Sequence, residues 1–171
     1  ADAVKAAQLL CDTHVVKMSS EGYQIMVAAL SLCGVKLTGE IDCTSRDKGM
    51  RQPWKVAYKG HPLVHWTAAC IQHFEWTLAH TNAILDEYSI RYNKTHLTSL
   101  FVNHLTDYLD KNGFPTAMPR TITAEDWLDN IAEKMPKHAA EWAKHIAKVS
   151  PPDGCSFGYV AIKGFESSEN Q

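Results

Sequence analysis

No run in this sequence is long and apolar enough to span a bilayer, because its uncharged apolar stretches stop well short of the roughly 20 residues a membrane helix needs. Cysteine is sparse. Cys11, Cys33, Cys43, Cys70 and Cys155 form an odd set at wide, irregular spacings, with no CxxC. This argues against a disulfide framework or a cysteine zinc site and favours a reducing, cytoplasmic setting. Walker, GxGxxG and GxSxG signatures are all missing, so the usual phosphate cradles and the serine nucleophile elbow are excluded. Excess charge is lacking as well: the net charge is −2 with histidine neutral. A broadly basic nucleic-acid surface is therefore absent, and only a local basic patch can meet phosphate. There is no internal repeat and no low-complexity tract. No charged-then-apolar leader opens the chain, which begins Ala1-Asp2-Ala3 without methionine, as a trimmed or processed start would.

What is present is ordinary globular material, 45% hydrophobic and 21% charged over 171 residues. That length suits one soluble domain, residues 1–171, with a full-sized core. The periodicity predicts an all-α fold of about six helices. A first helix covers Asp2 to Cys11, and a second, capped by Asp12, runs to about Cys33 and stops at Gly34. Residues 35–60, with Gly39, Gly49, Pro53 and Gly60, read as a long loop. His61-Pro62 opens a helical stretch reaching about Tyr92, long enough to expect a break near His73. Leu97 to Lys111 follows, closed by Asn112-Gly113, and Thr123 caps a further segment that Pro136 kinks or splits. Its second half is Lys137 to Lys148. Phe157 to Phe165 reads as a short extended arm, and residues 166–171 as a frayed polar tail.

Three constellations can carry chemistry. On the second helix, His14, Lys17, Glu21 and Gln24 fall within one narrow arc at 3.6 residues per turn. Met18, Ile25 and Leu32 border that arc, so the expectation is that these groups sit against apolar neighbours. Lys17 and Glu21 are spaced i,i+4 and can pair. Coupled, partly desolvated groups suit acid–base work, and they equally suit a structural ion network that fixes helix packing.

The second constellation is the stripe His73, His80, Glu87 and Arg91, repeating every seven, seven and four residues, with Glu87 and Arg91 able to pair. His61 and His65 lie one turn apart. They lack the glutamate of HExxH and any evident third ligand, so no metal and no other cofactor is expected. The third is the segment Arg46 to Lys59, where Arg46, Lys48, Arg51, Lys55 and Lys59 face only Asp47 and are interleaved with Trp54 and Tyr58. Cations track phosphates and aromatics stack on bases, so this mixture suits a nucleic-acid contact. A solvated loop with Trp54 tucked into the core is the competing reading.

Two stretches carry a family resemblance. Asp12-Thr13-His14-Val15-Val16-Lys17-Met18-Ser19-Ser20-Glu21-Gly22-Tyr23-Gln24 is the first. The second runs from Tyr58-Lys59-Gly60-His61-Pro62-Leu63-Val64-His65-Trp66 to Asp86-Glu87-Tyr88-Ser89-Ile90-Arg91-Tyr92-Asn93-Lys94-Thr95-His96. Together they resemble a group of phage and bacterial proteins, some of which are similar to pyrimidine-dimer DNA glycosylases of the endonuclease V type. The resemblance implies a helical, cytoplasmic enzyme acting on DNA in a bacterial or phage-infected cell. In it an N-terminal amine attacks the sugar C1′, a glutamate stabilises and shuffles charge, and strand cleavage follows through a Schiff base.

By the same resemblance the glutamate role falls on Glu21 and a supporting role on His14. Ser20 and Gln24 stand where that family carries arginines, and Lys17 is an alternative amine. Gln24, His61, His65, Glu87, Arg91, Arg51, Trp54 and Lys55 are the expected substrate contacts. Two other readings stay open. One is a non-catalytic nucleotide or nucleic-acid binding module, and the other a phage protein that binds and blocks a host factor.

Overall fold

The computed structural model describes residues 2–137. The expected helix at Lys137 to Lys148 (save for its first residue), the arm at Phe157 to Phe165 and the polar tail lie outside the described residues. Among those described, the architecture is helical, with six α-helices and one two-stranded sheet. No described helix is long and apolar enough to cross a membrane.

The chain starts with α1, Ala3–Gln8, whose first turn is capped by Asp2: its carboxylate accepts from the Val4 and Lys5 amides at 3.0 and 3.3 Å. Helix α2 spans Asp12–Leu32. The expected cap is displaced by one residue. Cys11 occupies the N-cap and Asp12 lies inside the helix, where its carboxylate takes an Arg91 guanidinium N–H at 3.0 Å and does not cap.

The expected loop at 35–60 holds a small antiparallel hairpin, β1 (Ile41–Asp42) against β2 (Met50–Arg51), with a 3-10 turn at Thr44–Arg46 between them. Two local features fold it. Ile41 and Cys43 are buried and plug into the core. Asp42 between them points out and accepts from the Thr44 amide and hydroxyl at 2.9 and 2.6 Å, which sets the turn.

Helix α3 covers Pro62–Ala69, with His61 as N-cap accepting from the Leu63 amide at 3.2 Å and proline at the first position. The expected break near His73 comes instead at Cys70, whose extended backbone separates α3 from α4, Ile71–Tyr92. The reason lies 48 residues on in sequence. The Ile71 and Gln72 amides, orphaned at the new helix start, donate to the Pro119 and Arg120 carbonyls at 2.8 and 3.2 Å. Helix α5, Thr98–Asn112, ends at Gly113 with φ of 74°. Helix α6, Ala124–Lys134, opens on the Thr123 cap, whose hydroxyl accepts from the Asp126 amide, and stops before Met135-Pro136.

Helix α4 is the axis of the assembly. It runs antiparallel to α2: the Tyr92 hydroxyl donates to the Asp12 carbonyl at one end, while Gly22 lies against Thr81 midway. The main core joins Tyr23, Met26 and Leu30 of α2 to Phe74 of α4 and to Phe101 and Leu105 of α5. A second cluster places Trp66 of α3 against Trp127, Ile131 and Met135 of the α6 region. A third seats Ala7 of α1 beside Val15, Ala83 and Ile84.

Candidate functional site

The strip on α2 rises out of the packed core in steps. Ala28, one turn beyond Gln24 on the same face, is fully buried. Gln24 is half-buried, Glu21 has 38% of its side chain exposed, Lys17 has 70%, and His14 is exposed. Apolar surroundings were expected for the whole strip. They hold for its inner half and fail for Lys17 and His14, which are exposed on the outer face of α2.

Glu21 is thus reachable from solvent while resting against the fold, and Lys17 Nζ stands 3.2 Å from its carboxylate. On the strip's flank the Ser20 and Thr98 hydroxyls lie 3.4 Å apart, which sets the start of α5 beside it. This arrangement offers a carboxylate and an ammonium together on a ledge, one group suited to a developing positive charge and the other to a phosphate.

The α4 stripe points the other way. His73 is buried, stacked on Trp66 with centroids 4.2 Å apart, and its Nδ1–H donates to the Trp66 carbonyl at 2.9 Å. Burial pulls its imidazole down to about 4, outweighing the opposing effect of the hydrogen bond to the Trp66 carbonyl. His80 donates to the Ala3 carbonyl at 3.0 Å. Arg91 holds the Glu87 carboxylate at 2.9 Å, the Leu10 carbonyl at 2.6 Å, the Gln8 carbonyl at 3.2 Å and Asp12 at 3.0 Å. Glu87 and Arg91 therefore engage α1 and the α1–α2 turn, tying the beginning of the described chain to the end of α4.

His61 caps α3 through its ring nitrogen. His65, one turn on, is half-buried, and its imidazole is held below the ordinary value by burial first and by Lys134 second. No group of three or more metal-ligating side chains occurs among the described residues.

The basic segment splits its two aromatics. Trp54 packs edge-on to Tyr23 at 5.3 Å and lies tilted on Phe101 at 5.0 Å, so its ring belongs to the core cluster. Burial raises the Tyr23 hydroxyl above its ordinary value. Arg46, Lys48, Arg51, Lys55 and Lys59 are all exposed, and Tyr58 stands 72% exposed. Burial, and secondarily Arg46, holds the His96 imidazole below its ordinary value. The basic segment meets α5 at Phe101 through Trp54, and the flank of the strip meets it at Thr98 through Ser20.

Sequence reasoning passed over Cys11. It is exposed at the start of α2, with Sγ 3.2 Å from the Thr13 hydroxyl, which is the main cause holding its thiol below the ordinary value. An N-cap cysteine followed two residues later by threonine was the available signal.

A sequence model of the pyrimidine dimer DNA glycosylase family matches residues 2–100, more than half of the chain. The chain belongs to that family. The matched span contains α1 to α4, the hairpin, the whole α2 strip and the first residues of α5. Membership in a pyrimidine dimer DNA glycosylase family gives the general activity, DNA glycosylase chemistry in DNA repair, and makes DNA the partner. No curated protein and no solved structure matches the chain.

Proposed function

We propose that the α2 ledge is the reaction site of this pyrimidine dimer DNA glycosylase family member, with Glu21 as the group that stabilises positive charge on the sugar. Cleaving an N-glycosidic bond sends the bonding electrons out with the base and leaves C1′ and the ring oxygen cationic. A fixed carboxylate beside that carbon lowers the barrier because it meets charge that develops only in the transition state. The observation carrying the reading is the exposure gradient along one helical face, in which Glu21 sits half-covered with a cation 3.2 Å away.

Lys17 has two uses in this scheme. As an ammonium it clamps the phosphate next to the lesion. As an amine, once its proton has gone to the departing base, it forms the new bond to C1′ as the N-glycosidic bond breaks, and the adduct opens its C1′–ring-oxygen bond to an imine that permits strand cleavage. His14 and Gln24 flank the carboxylate and orient the sugar. Arg51 and Lys55, on the exposed hairpin side, hold the duplex backbone. The target nucleotide leaves the stack to reach the ledge.

The test is Glu21→Gln, assayed on dimer-containing and abasic duplexes with borohydride present. The expected outcome is turnover lowered by about 100-fold or more, the scale for removal of one preorganised charge-stabilising group, in a variant that melts like the parent. Peptide mapping of the borohydride-trapped adduct identifies the amine. Turnover retained by Glu21→Gln removes the assignment.

A further inference from the structure

We infer that Tyr58 is a stacking platform for a DNA base displaced from the duplex. The inference rests on the DNA-directed reading above and adds to it the means by which an unpaired base is held.

The first observation is exposure without internal use. Tyr58 is 72% exposed, and its ring makes no ring contact among the described residues, whereas Trp54, four residues earlier, is packed on Tyr23 and Phe101. The fold has therefore used one of the two aromatics and left the other in solvent. A tyrosine ring presents a large flat area, and one left in solvent is free to stack on a partner.

The second observation is the backbone. Tyr58 has φ of 56°, in the left-handed region that a bulky side chain rarely occupies. Its carbonyl accepts from the His61 amide at 2.8 Å, which closes the turn into α3. Gly60 stands two residues further along, and a glycine or asparagine at 58 would make the same turn with less strain. A strained conformer kept for a side chain that the fold does not bury points to a use outside the fold.

The third observation is charge. Lys55 and Lys59 lie on either side of Tyr58 in sequence and are exposed, and Arg51 on β2 is exposed as well. An aromatic face between cations is the arrangement that binds unpaired nucleotides, the ring taking a base and the cations its phosphates. Trp54 anchors the segment to α2 at Tyr23, two residues from Glu21. Four extended residues span at most about 14 Å, or about four base steps along one strand, which bounds how far Tyr58 lies from that anchor.

The experiment compares the full chain and its variants on two probes, a duplex carrying one bulged 2-aminopurine and its fully paired parent. The expected result is a preference of the parent protein for the bulged duplex, with 2-aminopurine fluorescence quenched on binding. Tyr58→Ala loses about ten-fold in affinity for the bulged duplex, the range of one base–aromatic stack, and changes by less than about two-fold on the paired one. Tyr58→Phe keeps both, since stacking needs the ring and not the hydroxyl. Tyr58→Asn loses the preference while melting no lower than the parent, because asparagine tolerates the left-handed backbone. A parent protein that binds DNA without preferring the bulge, or a Tyr58→Ala variant that keeps the preference, overturns the inference and leaves the glycosylase reading intact. A parent protein that binds neither probe overturns both.

Discussion

Helices α2 and α4 present the same pattern in sequence, ionisable residues recurring at helical spacing, and the fold gives the two patterns opposite destinations. On α2 the strip His14, Lys17, Glu21 and Gln24 faces outward and makes one ion pair at 3.2 Å. On α4 the stripe His73, His80, Glu87 and Arg91 faces other elements, and each member is engaged: His73 with Trp66, His80 with α1, and Arg91 with Glu87 and three groups of the α1–α2 region. Periodicity fixes which residues share a face. What covers the face decides whether they are structure or chemistry.

The sharpest way to break this comparison is to change one member of each set and read stability and activity separately. Glu21→Gln has the largest expected effect, about 100-fold or more on turnover with an unchanged melting temperature. A melting temperature that falls along with activity would put Glu21 in the structural class and erase the contrast.

The next effect belongs to His73 and is read as pH dependence. Its imidazole titrates at about 4 in the fold, below its ordinary value of 6.5, because burial against Trp66 disfavours the charged form. Folding therefore favours the neutral ring. The contribution is complete above pH 6.5, shrinks as pH falls toward about 4, where the folded form also takes the proton, and is constant below that. The full swing is on the order of 3 kcal/mol, from a shift of two to three units at about 1.4 kcal/mol each. Urea titrations at pH 7 and pH 5 on the parent and on His73→Gln measure it. A parent no less stable at pH 5 than at pH 7, relative to the variant, counts against a buried neutral histidine.

Arg91→Met comes third. It leaves Glu87 and the Leu10 and Gln8 carbonyls without their donor, so the melting temperature falls by several degrees, with Arg91→Lys in between because lysine cannot reproduce the fork. Activity per folded molecule changes less than in Glu21→Gln. If instead Arg91→Met destroys activity with no loss of stability, the α4 stripe belongs to the site after all.

Much of this was readable from residues alone. The 3.6 period gave the helices, the Thr123 cap, the Glu87–Arg91 pair and the α2 arc, because each depends on neighbours within one or two turns. The misses share one cause, dependence on partners distant in sequence. The α3–α4 break sits at Cys70 because residues 119 and 120 supply carbonyls there. The hairpin has strands of two residues each, too short to show alternation, and is set by Ile41 and Cys43 entering the core. Trp54 and Tyr58 look equivalent in sequence, yet only one finds Tyr23 and Phe101 within reach.

Gly22→Ala tests the seam between the two helices. A Cβ at position 22 would run into the Thr81 hydroxyl, which is buried and already donates to the Thr77 carbonyl. Alanine favours a helix interior by about 1 kcal/mol over glycine, whereas overpacking costs about 1–3 kcal/mol, so the net expectation is a loss of up to about 2 kcal/mol. The double variant Gly22→Ala, Thr81→Ala should recover most of it, since the clash needs both side chains. Failure of that rescue would mean that α2 and α4 approach differently at this level.

The smallest effect on stability falls on the one ion pair of the strip, and it is the one that separates the readings of Lys17. The pair lies at i,i+4 with side chains 70% and 38% exposed, so water and salt screen most of its attraction. Lys17→Met should therefore cost no more than about 0.5 kcal/mol of stability. If Lys17 is a phosphate clamp, the variant raises KM, binds with a weaker salt dependence than the parent and still forms the borohydride adduct. If Lys17 is the attacking amine, the adduct disappears at saturating substrate. A stability loss of several kcal/mol fits neither outcome, and would mean that the ledge is a packing surface like the stripe on α4.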